Sequence, residues 1–284
     1  MTTVQQPDGG RRRGRDRGPR SSLPEQPPFA QPRMRYRPTE VVSADELESI
    51  HQASLQILAE IGINFVDPES RQLLGAAGAI VEPGCERVRF DPAMVTETIR
   101  SCPAEFQLHS WNPEHSLTIG GDHVTFGSVG SPPNVVGLDG VRRPGTQETF
   151  RELLKLCQMF NVIHFLAGYP VEPVDVPTSV RHLEAGRDML TLTDKVPHSY
   201  SLGRQRNRDF IEMVRIARQV DDATLDDEPS VITVVNSSSP LRIDTPMLQG
   251  IIEFARRRQV VVMTPFTLSG AMAPVTLAGA VAAE

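Results

Sequence analysis

Four β-branched stretches recur through the second half of the chain at a near-constant interval, and that recurrence limits the fold more than any other feature. They begin near Val162, Val196, Val231 and Val260, at offsets of 34, 35 and 29 residues, and segments near 178–191, 205–220 and 244–258 fill the gaps with helix-like spacing. One strand and one helix in an interval of about 30 residues is the βαβ unit, whose parallel strands are joined by right-handed crossovers. Phe210, Met213, Val214 and Ala217 form one apolar helical stripe, and Met247, Leu248, Ile251, Ile252 and Ala255 form another. Arg256-Arg257-Arg258 follows the second stripe, where cations favour a helix C-terminus. The pattern predicts an α/β fold whose units form the first half of a (β/α)8 TIM-type barrel. An open doubly wound sheet fits the same spacing, but no Gly-x-Gly-x-x-Gly turn follows any strand, and the Gly127–Gly130 segment is only a partial echo of one. Nucleotide binding is therefore poorly supported.

Upstream the character differs. Ser43-Ala44-Asp45-Glu46 is a capping-box signature, and helical spacing runs through Leu47, Ile50, Leu55, Leu58 and Ile61 to Gly62, a left-handed stop. Asp67-Pro68 and Asp91-Pro92 announce two shorter helices by N-cap and first-turn proline. Ser116–Ile119 and His123–Phe126 read as short strands, and Asp139-Gly140 as a turn. Residues 38–145 are thus expected to form an α+β cap, with 146–284 carrying the repeating units. Residues 1–37 hold nine Arg against three acids, which leaves −12 on the rest of a chain whose net charge is −6. This Pro- and Gly-rich basic stretch predicts a disordered leader, and the acidic body does not look like a nucleic-acid binder.

Parallel sheets place ligand sites at the C-terminal ends of their strands. Four turns collect there: Gly168-Tyr169-Pro170, His198-Ser199-Tyr200-Ser201, Asn236-Ser237-Ser238-Ser239 and Thr264-Pro265-Phe266. They offer hydroxyls, an amide, an imidazole and three aromatic rings, with Glu172 the nearest carboxylate. Such a mixture suits a neutral or cationic small molecule better than a phosphate or a hydride carrier. Tyr169, Tyr200 and Phe266, with Phe126 from the cap, can box a quaternary or protonated amine by cation–π attraction. Each ring can equally be packing at the mouth of the barrel. His198, Asn236 and Ser238 complete the candidate substrate contacts.

Other chemistries find less support. His109, His115 and His123 are spaced too loosely for a helical pair, His164, His182 and His198 lie on separate elements, and no Cys-x-x-Cys occurs. No metal site is expected on that basis, and no Gly-x-Ser-x-Gly turn marks a nucleophile. No run of about 18 apolar residues predicts a membrane span, and the N-terminus lacks the apolar region of a secretory signal. With three dispersed cysteines (Cys85, Cys102 and Cys157), a reduced, cytoplasmic location is expected.

Leu47–Gly62, Thr193-Asp194-Lys195, Ser239-Pro240-Leu241-Arg242 and the block Ser269–Gly279 together resemble the trimethylamine methyltransferase family, from about residue 38 onward. The resemblance implies a barrel enzyme that moves a methyl group from a methylated amine, of the trimethylamine or glycine-betaine kind, to the cobalt of a separate corrinoid protein. It implies that the chain binds no cofactor itself, that a partner carries the corrinoid (cobalamin), and that the full-length protein is a homo-oligomer, as in the methylamine metabolism of methanogenesis. Asn236 or Ser238 would then fix a carboxylate tail if the substrate is a betaine. Family members continue past the Ala-Gly-rich helix, where some carry a pyrrolysine, so this chain is expected to be truncated near mid-barrel. A catalytically incomplete remnant or binding module of the same fold is the alternative. No catalytic residue is carried over.

Overall fold

The computed structural model describes residues 25–238, 241–265 and 267–283. The cap forms where its capping signals lie. Helix α1 (Ala44–Glu60) starts at Ser43, whose hydroxyl accepts the Glu46 N–H at 3.3 Å while the Glu46 carboxylate accepts the Ser43 N–H at 2.8 Å. Gly62 follows at φ 75°, against the Val88 backbone where a Cβ would collide. Next come β1 (Ile63–Phe65), α2 (Pro68–Ala76), β2 (Ile80–Val81), β3 (Arg87–Arg89) and α3 (Pro92–Arg100), the two helices capped by Asp67 and Asp91. Strands β4 (Glu105–Leu108) and β5 (Leu117–Gly120) pair antiparallel, as do β6 (Asn134–Val136) and β7 (Arg142–Pro144) around Asp139-Gly140. The strand expected over His123–Phe126 does not form a ladder. Only single bridges occur there, from His123 to Arg33 and from Gly127 to Phe165.

The repeating region holds α4 (Gln147–Met159), α5 (Arg181–Leu192), β8 (His198–Tyr200), α6 (Arg204–Arg218), α7 (Asp222–Asp227), β9 (Ile232–Val235), β10 (Arg242–Ile243), α8 (Thr245–Arg256), β11 (Val260–Met263) and α9 (Leu277–Ala283). Three of the four expected strands form one parallel sheet in the order β11-β9-β8, with Ile232 beside both His198 and Val260. The fourth, expected from Val162, is reduced to single parallel bridges from Phe165 to Val196 and to Gly127. After Val162-Ile163 that segment runs into Ala167 and Gly168, poor strand formers, before Pro170. The fold is mixed α/β with small sheets, and among the described residues no barrel closes.

Two cores flank the parallel sheet. Leu166, Val231 and Val261 pack with Phe150, Leu154, Met189, Phe210, Val214 and Phe254 from the surrounding helices. Gly186 lets α5 close on α6, since a Cβ there would lie 2.9 Å from Met213 and 3.1 Å from Phe210. The second core joins Val196 and Ile232 to Leu108 and Leu117 of the β4–β5 hairpin, with Phe29, Phe165 and Val260 around them. Full burial of such side chains stabilises by about 1.5–3 kcal/mol each.

Part of the basic leader belongs to this second core. Gln26 donates to the Met159 carbonyl and accepts the Asn161 N–H, each at 2.9 Å, and Gln31 bonds both backbone groups of Thr118. The Phe29 ring lies 4.3 Å from His115. The expected solvated leader through residue 37 therefore does not hold for residues 26–34, where an apolar anchor and glutamine amides outweigh the Pro-rich composition. Residues 1–24 lie outside the described residues.

Polar links then tie cap to sheet. Strand β1 pairs parallel with β10, and Glu69 of α2 bridges Arg204 and Arg256. Lys195 is fully buried, and its ammonium donates to the carbonyls of Cys157 and Phe160 at the end of α4. Burial lowers its pKa to about 8. Its neighbour Asp194 accepts from Asn112 and Gln158 at 2.8 Å and from His115 at 2.5 Å. Burial would raise the Asp194 carboxyl, but these donors hold it below its usual range.

Candidate functional site

A cavity of about 270 Å³ opens at the C-terminal ends of the Phe165 segment and β8, lined by Ser131, Tyr169, Glu172, Thr178, Arg181, His182, Tyr200, Leu202 and Arg206. Two tyrosines form its base. Glycine at 168 makes their approach possible, because a Cβ there would collide with the Tyr200 hydroxyl. That hydroxyl accepts the Tyr169 N–H at 3.0 Å, and the two rings stand nearly perpendicular, at 78° and 4.8 Å between centroids. Phe150 braces Tyr169 from the helix side at 5.5 Å. Burial pushes the Tyr200 phenol up to about 12 and raises Tyr169 as well, so both rings are neutral at physiological pH.

Behind Tyr200 lies His198, edge to face at 4.6 Å. Its Nε2 accepts the Val234 N–H at 3.2 Å, which places the ring proton on Nδ1, a buried atom with no partner. Burial depresses its pKa to about 4, so it sits neutral under the tyrosine.

The rim is polar and incompletely satisfied. Ser131, immediately before Pro132, is held at φ 52° with its N–H on the Tyr169 carbonyl at 2.6 Å, and its buried hydroxyl has no partner. A non-glycine residue in this region is strained, and such strain persists where the surroundings impose it. Arg181 pairs with Glu172 at 2.8 Å and donates to the carbonyls of Val174 and Val176. His182 bonds Asp209 at 3.0 Å through Nε2, leaving Nδ1 buried and unpartnered. The Arg206 guanidinium donates to the Thr178 carbonyl at 3.1 Å.

The residues predicted from sequence do not all meet here. Tyr169 and Tyr200 share the cavity, and His198 underlies it. Phe126 stacks on His164 at 5.8 Å, level with the start of the Phe165 segment rather than its end, and is 47% exposed. Asn236 and Ser238 occupy the neighbouring strand end. Asn236 accepts from the Thr264 hydroxyl, and the Ser238 hydroxyl accepts the Asp244 N–H at 3.1 Å. Phe266 lies outside the described residues. Sequence reasoning noted Glu172 but missed Ser131, Arg181, His182 and Arg206. A signal was available: Arg181, His182, Arg204 and Arg206 crowd the first turns of α5 and α6, where the helix dipole disfavours cations.

Among the described residues, no three His, Cys, Asp or Glu side chains come together as a metal-ligand set, and no helix is long and apolar enough to cross a membrane. Comparison with known proteins decides the lineage. The family described as Trimethylamine methyltransferase (MTTB) matches residues 8–284. The chain belongs to the trimethylamine methyltransferase family. A glycine betaine methyltransferase of Desulfitobacterium hafniense (strain Y51) is 31% identical over 239 residues, 84% of this chain and 49% of the relative. A trimethylamine methyltransferase MttB of Desulfitobacterium hafniense (strain DSM 10664 / DCB-2) is 26% identical over 240 residues, covering 84% and 48%. A proline betaine:corrinoid methyltransferase of Eubacterium limosum is 23% identical over 248 residues, covering 84% and 50%. The chain thus spans about half the length of the curated relatives it matches.

Proposed function

We propose that this member of the trimethylamine methyltransferase family moves a methyl group from a methylated amine, of the trimethylamine or glycine-betaine kind, to the cobalt of a separate corrinoid protein. Its parallel units would belong to a (β/α)8 barrel whose mouth holds the amine. The observation that carries the reading is the perpendicular Tyr169–Tyr200 pair at the C-terminal ends of parallel strands. In such a transfer the nitrogen–methyl bond breaks, the methyl leaves without the bonding pair, and the nitrogen keeps that pair and loses its positive charge. The corrinoid would supply the electron-rich acceptor, and no residue of this chain is assigned to hold it.

The work left to the chain is to hold the amine, aim one methyl outward and exclude water. Neutral phenol rings attract a quaternary ammonium through their π faces without forming a counter-ion that would oppose its discharge. The neutral His198 behind Tyr200 adds no repelling charge. Asn236 and Ser238 remain candidate contacts from the adjacent strand end, and Phe266 remains one by its place in the sequence.

The test supplies the chain with a reduced corrinoid protein and either trimethylamine or glycine betaine. Loss of one N-methyl group is followed by proton NMR, and binding by calorimetry. Demethylation of either amine is the expected result. Neither binding nor demethylation of any methylated amine would overturn the reading.

A further inference from the structure

We propose that the cavity selects methylated amines that also carry a carboxylate, with Arg206 holding the carboxylate while Tyr200 faces the ammonium. The inference rests on the function proposed above and deepens it. It follows from an inventory of the charges around the cavity. Arg181 is neutralised by Glu172 at 2.8 Å and spends further N–H groups on the Val174 and Val176 carbonyls. His182 faces Asp209 at 3.0 Å, and Asp209 also accepts from Gln205 at 2.7 Å. Arg206 remains. Among the described residues no carboxylate lies within ion-pair distance of it, and its one bond, to the Thr178 carbonyl at 3.1 Å, uses a single donor. A guanidinium has five N–H donors in a planar fork matched to a carboxylate.

The backbone reinforces that field. Arg206 stands in the first turn of α6 and Arg181 in the first turn of α5, so the positive ends of both helices meet the cavity wall. Neither N-cap residue, Val180 or Gly203, supplies a side-chain acceptor, and of the first-turn amides of α6 the Arg204 N–H is met by Gln249 at 3.2 Å. A bare trimethylammonium brought to Tyr200 would share the cavity with the Arg206 cation, which no carboxylate pairs among the described residues. A zwitterion brings its own counter-charge, and its carboxylate can pair with Arg206 while its ammonium lies on Tyr200. The Ser131 hydroxyl, which lines the cavity beside Tyr169 and has no partner, is a further polar group within it.

Calorimetry on the full chain decides the matter, with glycine betaine, tetramethylammonium, choline and acetate as probes. Glycine betaine is expected to bind at least tenfold more tightly than tetramethylammonium or choline, which present the same ammonium without the carboxylate, and than acetate, which lacks the ammonium. Arg206→Gln should shrink the betaine advantage to less than threefold while leaving tetramethylammonium binding unchanged or improved. That second titration also shows that the cavity of the variant is intact. Arg206→Lys keeps the charge and should retain part of the preference. Tetramethylammonium binding as tightly as glycine betaine, or an advantage that survives Arg206→Gln, would overturn the carboxylate assignment and leave the methyl-transfer reading standing. If no methylated amine binds or is demethylated, the functional reading fails and this inference with it.

Discussion

Two polar clusters sit at opposite ends of the same parallel strands, and they are built in opposite ways. At the N-terminal end, Asp194 accepts three side-chain donors and the buried Lys195 ammonium reaches two helix-end carbonyls. At the C-terminal end, Ser131 and His182 each keep a buried polar atom with no partner, and Ser131 is held at φ 52°. Charged groups that are buried and satisfied fix one arrangement of the chain. Polar groups left unsatisfied beside a cavity lower stability and are available to a ligand. On the function proposed above the first cluster serves the fold and the second serves binding, and substitutions should separate them.

The largest effect is expected at Lys195. Lys195→Ala takes the ammonium away from the Cys157 and Phe160 carbonyls, of which Phe160 keeps the Ile163 N–H, and opens a cavity where a fully buried side chain stood. Urea unfolding should show a loss of about 3 kcal/mol. A loss under about 1 kcal/mol would remove the contrast between the two ends.

His198 tests the boundary between them. Its pKa is depressed from 6.5 to about 4 by burial, so below about pH 6.5 the unfolded chain takes up a proton that the folded chain refuses. Its contribution is complete above pH 6.5 and falls away as pH drops toward 4, by on the order of 3 kcal/mol in all. His198→Gln should flatten this acid limb in urea midpoints measured between pH 7 and 5, the remaining slope belonging to His164, which burial also depresses. An unchanged slope would mean that His198 is solvated.

How much of this was legible depended on the range of the interaction. Caps at Ser43, Asp67 and Asp91, the stops at Gly62 and Asp139-Gly140, and three of four parallel strands are local or periodic signals, and each appears where the sequence put it. Tyr169 and Tyr200 share a cavity at the strand ends, where counting along the period places them. The Thr193-Asp194-Lys195 motif could be recognised from the sequence, but its partners Asn112, His115 and Cys157 come from distant segments that only the fold assembles. Phe126 was grouped with the tyrosines by residue type alone, and its pairing beside His164 depends on a single parallel bridge next to it that no period announces. Residues 26–34 look like leader by composition, and Phe29, two glutamines and the Arg33 contacts with Asp122 and His123 reverse that reading.

Phe29 gives the next prediction. Its ring packs on the hairpin core and lies 4.3 Å from His115, within the satisfied end of the molecule. Phe29→Ala should cost about 2 kcal/mol, less than the 3–5 of a fully buried ring because this one is only partly buried. Thermal melts of Phe29→Ala and of a chain lacking residues 1–24 would locate the boundary. The variant should melt lower, while a truncation that shifts the melt as far would place structure earlier than Phe29.

The smallest effect in energy bears most directly on the binding end. Tyr200→Leu keeps much of the bulk at the base of the cavity but removes the ring that faces a ligand and the hydroxyl that accepts the Tyr169 N–H. Tyr200→Phe removes only the hydroxyl. If the ring binds an ammonium by its π face, glycine betaine should weaken by about 0.5–2 kcal/mol in the Leu variant and by far less in the Phe variant. The orphaned Tyr169 N–H should cost both variants about 1 kcal/mol of stability, and the Leu variant also loses the ring contacts with Tyr169 and His198. Stability and affinity are then read on the same pair of proteins. A loss of affinity confined to the Leu variant would separate the ring's role in binding from the hydroxyl's role in the fold. Equal losses of affinity in the two variants would mean that Tyr200 acts on the ligand only through Tyr169, and that the strand-end tyrosines are packing in the same sense as the Lys195 cluster.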